Sequence, residues 1–175
     1  MKIAILGFSG SGKSTLAKRL GALFSIPVLY LDTVQFEANW VMRDRDEARQ
    51  IVSDFMKQDN WVIDGNYRSF LQEERLSLAD HILFLNFSRL NCVWRAYKRY
   101  LHYKNTSRES MAEGCDEKFD WEFFKWILYK GRTPDIIRHY WEIVRTYRDK
   151  TLVIKNQHQL DAFLRNPFGM AEHSD

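Results

Sequence analysis

The segment GFSGSGKST, from Gly7 to Thr15, constrains this chain more than any other. It follows the apolar run KIAIL and opens KSTLAKRLGALF, whose Leu16, Leu20 and Leu23 are spaced as one helical face. Gly7, Gly12, Lys13 and Ser14 meet G-x-x-x-x-G-K-[ST] at every fixed position. Such a loop turns backbone N–H groups inward around an anion, and the helix behind it adds its positive end. Gly7, Ser9, Gly10, Ser11, Gly12, Lys13, Ser14 and Thr15 are therefore candidate contacts to the phosphates of a nucleoside triphosphate such as ATP. Lys13 would reach the β- and γ-phosphates, and the Ser14 hydroxyl would ligate Mg²⁺.

Further along, PVLYL reads as a second strand ending at Asp32, WVID as a third stopped by Gly65, HILFL as a fourth and TLVIK as a fifth. RDEARQIVSDFMKQ is an amphipathic helix with Ala48, Ile51, Val52 and Phe55 on one side, and QLDAFL is a short helix after the fifth strand. The long interval between the fourth and fifth strands holds a helix around Arg89–Tyr103, a break at KNTSRESMAEG, and helical stretches around Asp116–Lys130 and Pro134–Arg148. Gly114 and the Gly131–Pro134 stretch are the candidate hinges, and the tail GMAEHSD reads as frayed. Strands alternating with helices predict an α/β chain, a parallel sheet covered on both faces, in a single domain spanning 1–175.

Composition narrows the function. Apolar residues make up 45% and charged residues 28%, ordinary for a soluble globular domain. The net charge of +3 is too mild to argue for nucleic acid, and no helix-turn-helix, zinc or RNA-binding signature is present. No apolar run approaches membrane-spanning length, and the N-terminus reads as a strand and loop, not a signal peptide. Cys92 and Cys115 have no metal-ligand spacing, so a reduced, cytoplasmic setting is expected. The guanine-reading N-K-x-D of switch GTPases is absent, and the chain is short for a motor or recombinase-type ATPase, which leaves a small kinase.

Three constellations point the same way. Asp32 would end the second strand, where ligands gather in open parallel sheets, and could accept a hydroxyl proton or orient an acceptor. Asp64-Gly65-Asn66-Tyr67-Arg68 follows the third strand. From Arg89 to Arg108 there are six Lys/Arg residues and no acid, with Arg95 and Arg99 four apart on one helical face.

The Asp64–Arg68 stretch resembles the D-G-F-P-R of adenylate kinase and other nucleoside monophosphate kinases, with Asn66-Tyr67 in place of Phe-Pro. That resemblance implies water-mediated Mg²⁺ binding by Asp64 and acceptor binding by Arg68. It also implies a lid over about 95–138, with Arg95, Arg99, Arg132 and Arg138 as lid arginines, and adenine near Asn156–His158. Nucleoside and shikimate kinases carry an acid at the place of Asp32. GFSGSGKSTLAKRLG, IPVLYLD, NWVIDGNY and MAEGCDEKFDWEFFKWIL together resemble an adenylate-kinase-like family known as DNA topology modulation proteins. In the last block Phe119, Trp121, Phe123, Phe124 and Trp126 would form a lid face, a pocket wall or simple helix packing.

The resemblance implies a three-layer P-loop fold with strand order 2-3-1-4-5 and a helical lid insertion. The implied activity is ATP- and Mg²⁺-dependent phosphoryl transfer to a nucleoside or nucleotide. Lys13, Arg95, Arg99 and Arg132 would stabilise the transferring charge, Asp32 and Asp64 would divide metal and acceptor duties, and Arg68 with Arg43 would hold the acceptor. A kinase of a non-nucleotide metabolite hydroxyl, and an ATP-binding regulator affecting DNA topology, are the alternatives.

Overall fold

The computed structural model describes residues 1–103, 110–111 and 119–169. Lys104, Arg108, Gly114 and Cys115 lie outside the described residues, as does the tail beyond Gly169. Five parallel strands, β1 (Lys2–Gly7), β2 (Val28–Tyr30), β3 (Trp61–Asp64), β4 (His81–Leu85) and β5 (Thr151–Ile154), form one sheet in the order β2-β3-β1-β4-β5. Helices cover both sides: α1 (Lys13–Phe24), α2 (Leu31–Gln35), α3 (Arg45–Met56), α4 (Gln72–Leu78), α5 (Arg89–Tyr103), α6 (Trp121–Leu128), α7 (Pro134–Thr146) and α8 (Gln157–Arg165). Ile3 to Leu6, all of β3, and Ile82 to Leu85 are buried, so the central strands read as unbroken apolar runs because both faces are covered. The register places Tyr30 beside Asp64, Asp64 beside Ile5, and Gly7 beside Leu85, so the carboxyl ends of β1 to β4 share one edge of the sheet.

Three local expectations are corrected, and one helix was not expected. Leu23 is 56% exposed, because α1 centres its apolar stripe on Leu16, Ala17, Leu20 and Gly21. The second strand stops at Tyr30, and Leu31 starts a helix, so Asp32 sits in the first turn of α2, where a carboxylate suits the helix dipole. The stretch around Asp116–Lys130 contains a shorter helix, Trp121–Leu128, capped by the Asp120 carboxylate accepting from Phe123 N. Helix α4 has no apolar signature: its buried face consists of Gln72, Arg75 and Leu76.

Arg75 explains that face. It is fully buried, and its guanidinium donates to the carbonyls of Phe70 at 2.8 Å, Gly65 at 3.4 Å and Tyr67 at 2.9 Å. Burial pulls its pKa down to about 10, opposed by the nearby Asp64 charge, so it stays cationic at neutral pH. Gln72, also buried, donates to the Asn66 carbonyl at 2.9 Å. The loop after β3 is thus shaped by α4 from within the core. Arg75→Met should lower unfolding stability by about 3 kcal/mol or more, because the buried carbonyls lose their donors at once. Urea denaturation measures it, and a near-neutral result would contradict the assignment.

Candidate functional site

The phosphate loop leaves β1 at Gly7 and enters α1 at Lys13. Gly10 and Gly12 have φ of +78° and +96°, in the left-handed region. Side chains are also excluded sterically: a Cβ at Gly10 would stand 2.4 Å from the Cys92 carbonyl oxygen, and one at Gly12 would stand 2.8 Å from Arg95 Nη1. Gly12 is the N-cap of α1 and supplies no side-chain cap, so the first N–H groups of a 12-residue helix face the loop without an internal acceptor. Ser11 Oγ is buried and finds no hydrogen-bond partner among the described residues. Lys13 Nζ makes only a long contact, 3.5 Å, to the Phe8 carbonyl. A buried hydroxyl, uncapped N–H groups and a loosely held ammonium fit a polyphosphate.

The loop forms the floor of a cleft of about 790 Å³. Ser9, Gly10, Gly12, Lys13, Ser14 and Thr15 line it, with Arg95 and Arg99 from α5 and Gln157 from α8. Asp32, Phe36 and Trp40 line the same cleft, as do Lys98 and Phe123. The volume lies within the range of small-molecule sites. Asp32 Oδ1 accepts from the Tyr67 hydroxyl at 2.8 Å. Burial, with the Asp32 charge beside it, raises the Tyr67 pKa, so the phenol stays a donor. Asn66, which replaces the Phe of D-G-F-P-R, makes a pair of hydrogen bonds to the loop: its Oδ1 accepts from Gly7 N at 3.1 Å and its Nδ2 donates to Gly7 O at 2.7 Å.

The other expected site residues separate into groups. Arg95 donates from Nη1 to the Ser11 carbonyl and from Nη2 to Gln157 Oε1, and its guanidinium lies 4.4 Å above the Phe87 ring. It therefore links the loop to α8. Arg99 faces the cleft, its guanidinium 5.9 Å from the Phe123 ring centroid. Arg132 does not line the cleft. It is buried, 3.8 Å above the Phe8 ring, donating from Nη2 to Cys92 Sγ at 3.0 Å. Cys92 is buried too, which pushes its thiol pKa up. Arg138 is exposed and paired with Asp135 at 2.9 Å.

Asp64 is 4% exposed at the end of β3 and does not line the cleft, whereas Ser14 and Asp32 do. Among the described residues no group of three or more His, Cys, Asp or Glu could hold a metal, so Mg²⁺ fits here only as an ion carried largely by phosphate oxygens and water. Asn156 is exposed and caps α8, accepting from Gln159 N at 2.9 Å; its neighbour Gln157 is the residue that faces the cleft. Arg43 is committed elsewhere: it donates from Nε to the Val34 carbonyl at 3.1 Å and pairs with Glu47 at 2.6 Å and Glu37 at 3.2 Å. Arg68 is exposed and lines a separate hollow of about 290 Å³ with Ser9, Asn66, Trp126, His139 and Tyr140. Asp32 thus lines the larger cleft over the phosphate loop, and Arg68 lines the adjoining hollow that shares Ser9 with it.

Of the aromatic block, Phe123 lines the cleft, Trp126 donates from Nε1 to Ser9 Oγ at 3.2 Å, and Phe119 packs on Tyr97 and Tyr100. Trp121 and Phe124 stack on each other. Among the described residues no helix is long and apolar enough to cross a membrane.

The sheet order and the strand–loop–helix at Gly7–Lys13 are those of a P-loop α/β fold. No family model matches the chain and no curated protein matches it, so the likeness to topology modulation proteins rests on the quoted residues alone. Among solved structures the chain is similar to a shikimate kinase from Bacteroides thetaiotaomicron, at 14% identity over 94% of each chain with a TM-score of 0.48. It is similar to a gluconokinase from Sinorhizobium meliloti 1021, at 15% identity over 94% of this chain and 87% of the other, with a TM-score of 0.49. A shikimate kinase from Aquifex aeolicus vf5 matches at 19% identity over 94% and 92%, with a TM-score of 0.48. At these identities and scores no residue's role carries across to this chain.

Asn66→Ala should cost about 1–2 kcal/mol of stability by leaving Gly7 N–H and C=O without their side-chain partner, and should weaken ATP binding because the loop loses its tie to β3. Calorimetric titration with ATP alongside urea denaturation checks both. Unchanged ATP affinity would show that the tie does not shape the loop.

Proposed function

We propose that this chain is an ATP- and Mg²⁺-dependent kinase, one domain over 1–175 with a lid over about 95–138, acting on the hydroxyl of a small acceptor. The observation that carries this reading is the placement of Asp32 in the same cleft as Lys13, Ser14 and Arg99. A nucleophilic oxygen bound there needs a base within reach; of the two acids that line the cleft, Asp120 caps α6 through Phe123 N, which leaves Asp32 as the candidate. Tyr67 donates to one of its oxygens, which fixes the carboxylate and leaves the other for an acceptor hydroxyl.

The step follows from the geometry. The acceptor oxygen forms a bond to the γ-phosphorus of ATP, the bond from that phosphorus to the β–γ bridging oxygen breaks, and ADP leaves. The hydroxyl proton passes to Asp32. Lys13 and Arg99 offset the charge on the transferring group, Arg95 and Gln157 border the donor end, and positioning with electrostatics does most of the work. Mg²⁺, held through Ser14 Oγ and phosphate oxygens, would supply further charge neutralisation. Acceptor phosphate binding by Arg68 receives less support, because Arg68 lines a different hollow from Asp32.

A coupled ADP-release assay over nucleosides, nucleoside monophosphates, shikimate and gluconate tests this. Asp32→Asn should lower kcat about 100-fold or more on a hydroxyl acceptor, with ATP affinity kept. Arg68→Ala should leave KM near that of the unaltered chain. The reverse pattern would mean a phosphate-bearing acceptor. Lys13→Ala should abolish productive ATP use, and Arg99→Ala should lower kcat roughly 100-fold while barely changing donor affinity. Tight ATP binding without turnover on any acceptor would favour an ATP-binding regulator.

A further inference from the structure

The segment joining α2 to α3 makes a small hairpin. Phe36 and Met42 form an antiparallel bridge, Glu37 N donates to Val41 O at 2.8 Å, and Val41 N reaches Ala38 O at 3.4 Å. The two residues at its tip, Asn39 and Trp40, have φ of +60° and +64°. Asn tolerates that region through its short polar side chain, but a bulky aromatic residue there is an outlier. Strain of this kind persists where the surroundings over-determine it, and it clusters at functional sites.

The surroundings here are specific. Arg43 fixes the base of the hairpin: its backbone N–H donates to Gln35 O at 3.0 Å, while its guanidinium ties Val34 of α2, Glu37 of the hairpin and Glu47 of α3 together. Trp40 meets Phe36 edge to face, with centroids 5.2 Å apart and planes at 70°. The indole is 38% exposed and lines the cleft with Phe36, Asp32 and Phe123. The hairpin belongs to the β2 edge of the sheet, whereas Gln157 and Leu160, which line the same cleft, follow β5 at the opposite edge. The phosphate loop, after central β1, lies between these two walls.

The geometry points to Trp40 as the residue that selects the acceptor, holding a flat heteroaromatic ring joined to a hydroxyl-bearing sugar, the chemistry of a nucleoside. This rests on the kinase reading above. Aromatic faces recognise any planar π system by stacking and by excluding water, which suits a base. Arg19, Lys98 and Arg99 line the same cleft and would suit an anion, but the wall formed by Phe36 and Trp40 is aromatic, which suits a ring over a hydroxyl-rich aliphatic acid. Arg43 is then a positioning residue, acting on the acceptor through the hairpin.

The test uses the full chain saturated with Mg²⁺ and a non-hydrolysable ATP analogue, titrated calorimetrically with adenosine, guanosine, cytidine, thymidine, shikimate and gluconate, followed by ADP-release kinetics with ATP. At least one nucleoside should bind and be phosphorylated, and neither acid should. Trp40→Ala should raise the nucleoside KM about tenfold or more with donor affinity unchanged, and Trp40→Phe should retain most of the affinity. Trp40→Gly should melt about 2 °C or more above Trp40→Ala, reversing the usual order of these residues, because only glycine is at ease at this φ. Phosphorylation of shikimate or gluconate would overturn the proposal and leave the kinase reading standing. So would a Trp40→Ala variant with the KM of the unaltered chain, or an alanine variant that melts at or above the glycine variant. Failure to bind the ATP analogue would sink both, and binding of the analogue with no nucleoside would sink this proposal alone.

Discussion

Arg75 holds the carbonyls of Gly65, Tyr67 and Phe70 from inside the core, and the geometry of the cleft depends on that guanidinium. Through the loop it shapes, Asn66 grips Gly7 by both backbone groups and Tyr67 reaches across to Asp32. One buried cation therefore sets the start of the phosphate loop and the orientation of the candidate base. A buried charge is costly unless it is fully hydrogen-bonded, so the same contacts that offset its desolvation also fix the loop. Helix α4 carries Arg75 and Gln72 on its inner face to make this possible, and Gln72 accepts from His139 Nε2 at 2.8 Å, which ties the arrangement to α7.

The charges around the phosphate loop divide by burial. Arg99 and Lys98 line the cleft, whereas Arg132 is enclosed between Phe8 and Cys92. Its Nε has no hydrogen-bond partner among the described residues, and burial pulls its pKa down, so its attraction to the Phe8 ring and the Cys92 sulfur is what holds it. From that position Arg132 braces the loop from behind. Arg95 is intermediate: half-buried, bonded to the loop's own Ser11 carbonyl, and also lining the cleft.

The strands and the phosphate loop were legible in the sequence because both are written in local chemistry: apolar runs of strand length, glycines at fixed spacing, a Lys-Ser pair opening a helix; the strand order came from the family resemblance and is the order observed. Helix α4 was not, because its inward face is polar and periodicity arguments follow apolar residues. The short helix at Leu31–Gln35 was hidden because VLYL continues as an apolar run across the strand–helix junction. Among the expected site residues, Lys13, Ser14 and Asp32 line the cleft. Arg43 and Arg132 engage Glu37, Glu47, Phe8 and Cys92 and do not line the cleft, since a sequence shows where a cation stands in the chain and not which carboxylate or ring will engage it. Asn156 missed by one residue, for an N-cap turns its own side chain back onto the helix and leaves the next residue to face the cleft.

The two halves of the cleft differ in the physics they use, and that difference bears on where specificity can reside. The donor half is built from backbone N–H groups, a helix end and a lysine, all of which respond to phosphate and none to what the phosphate is attached to. On the proposed reading, discrimination would come from side chains elsewhere in the cleft, among them Asp32, Phe36 and Trp40. A site that reads shape through a strained aromatic at a hairpin tip trades stability for a fixed wall, and that trade favours the acceptor half because a mobile ring would lose its stacking gain to entropy on binding. The carboxylate placed between that wall and the phosphate loop then needs no mobility of its own: Tyr67 and the first turn of α2 hold it where an acceptor hydroxyl, once stacked, would meet it.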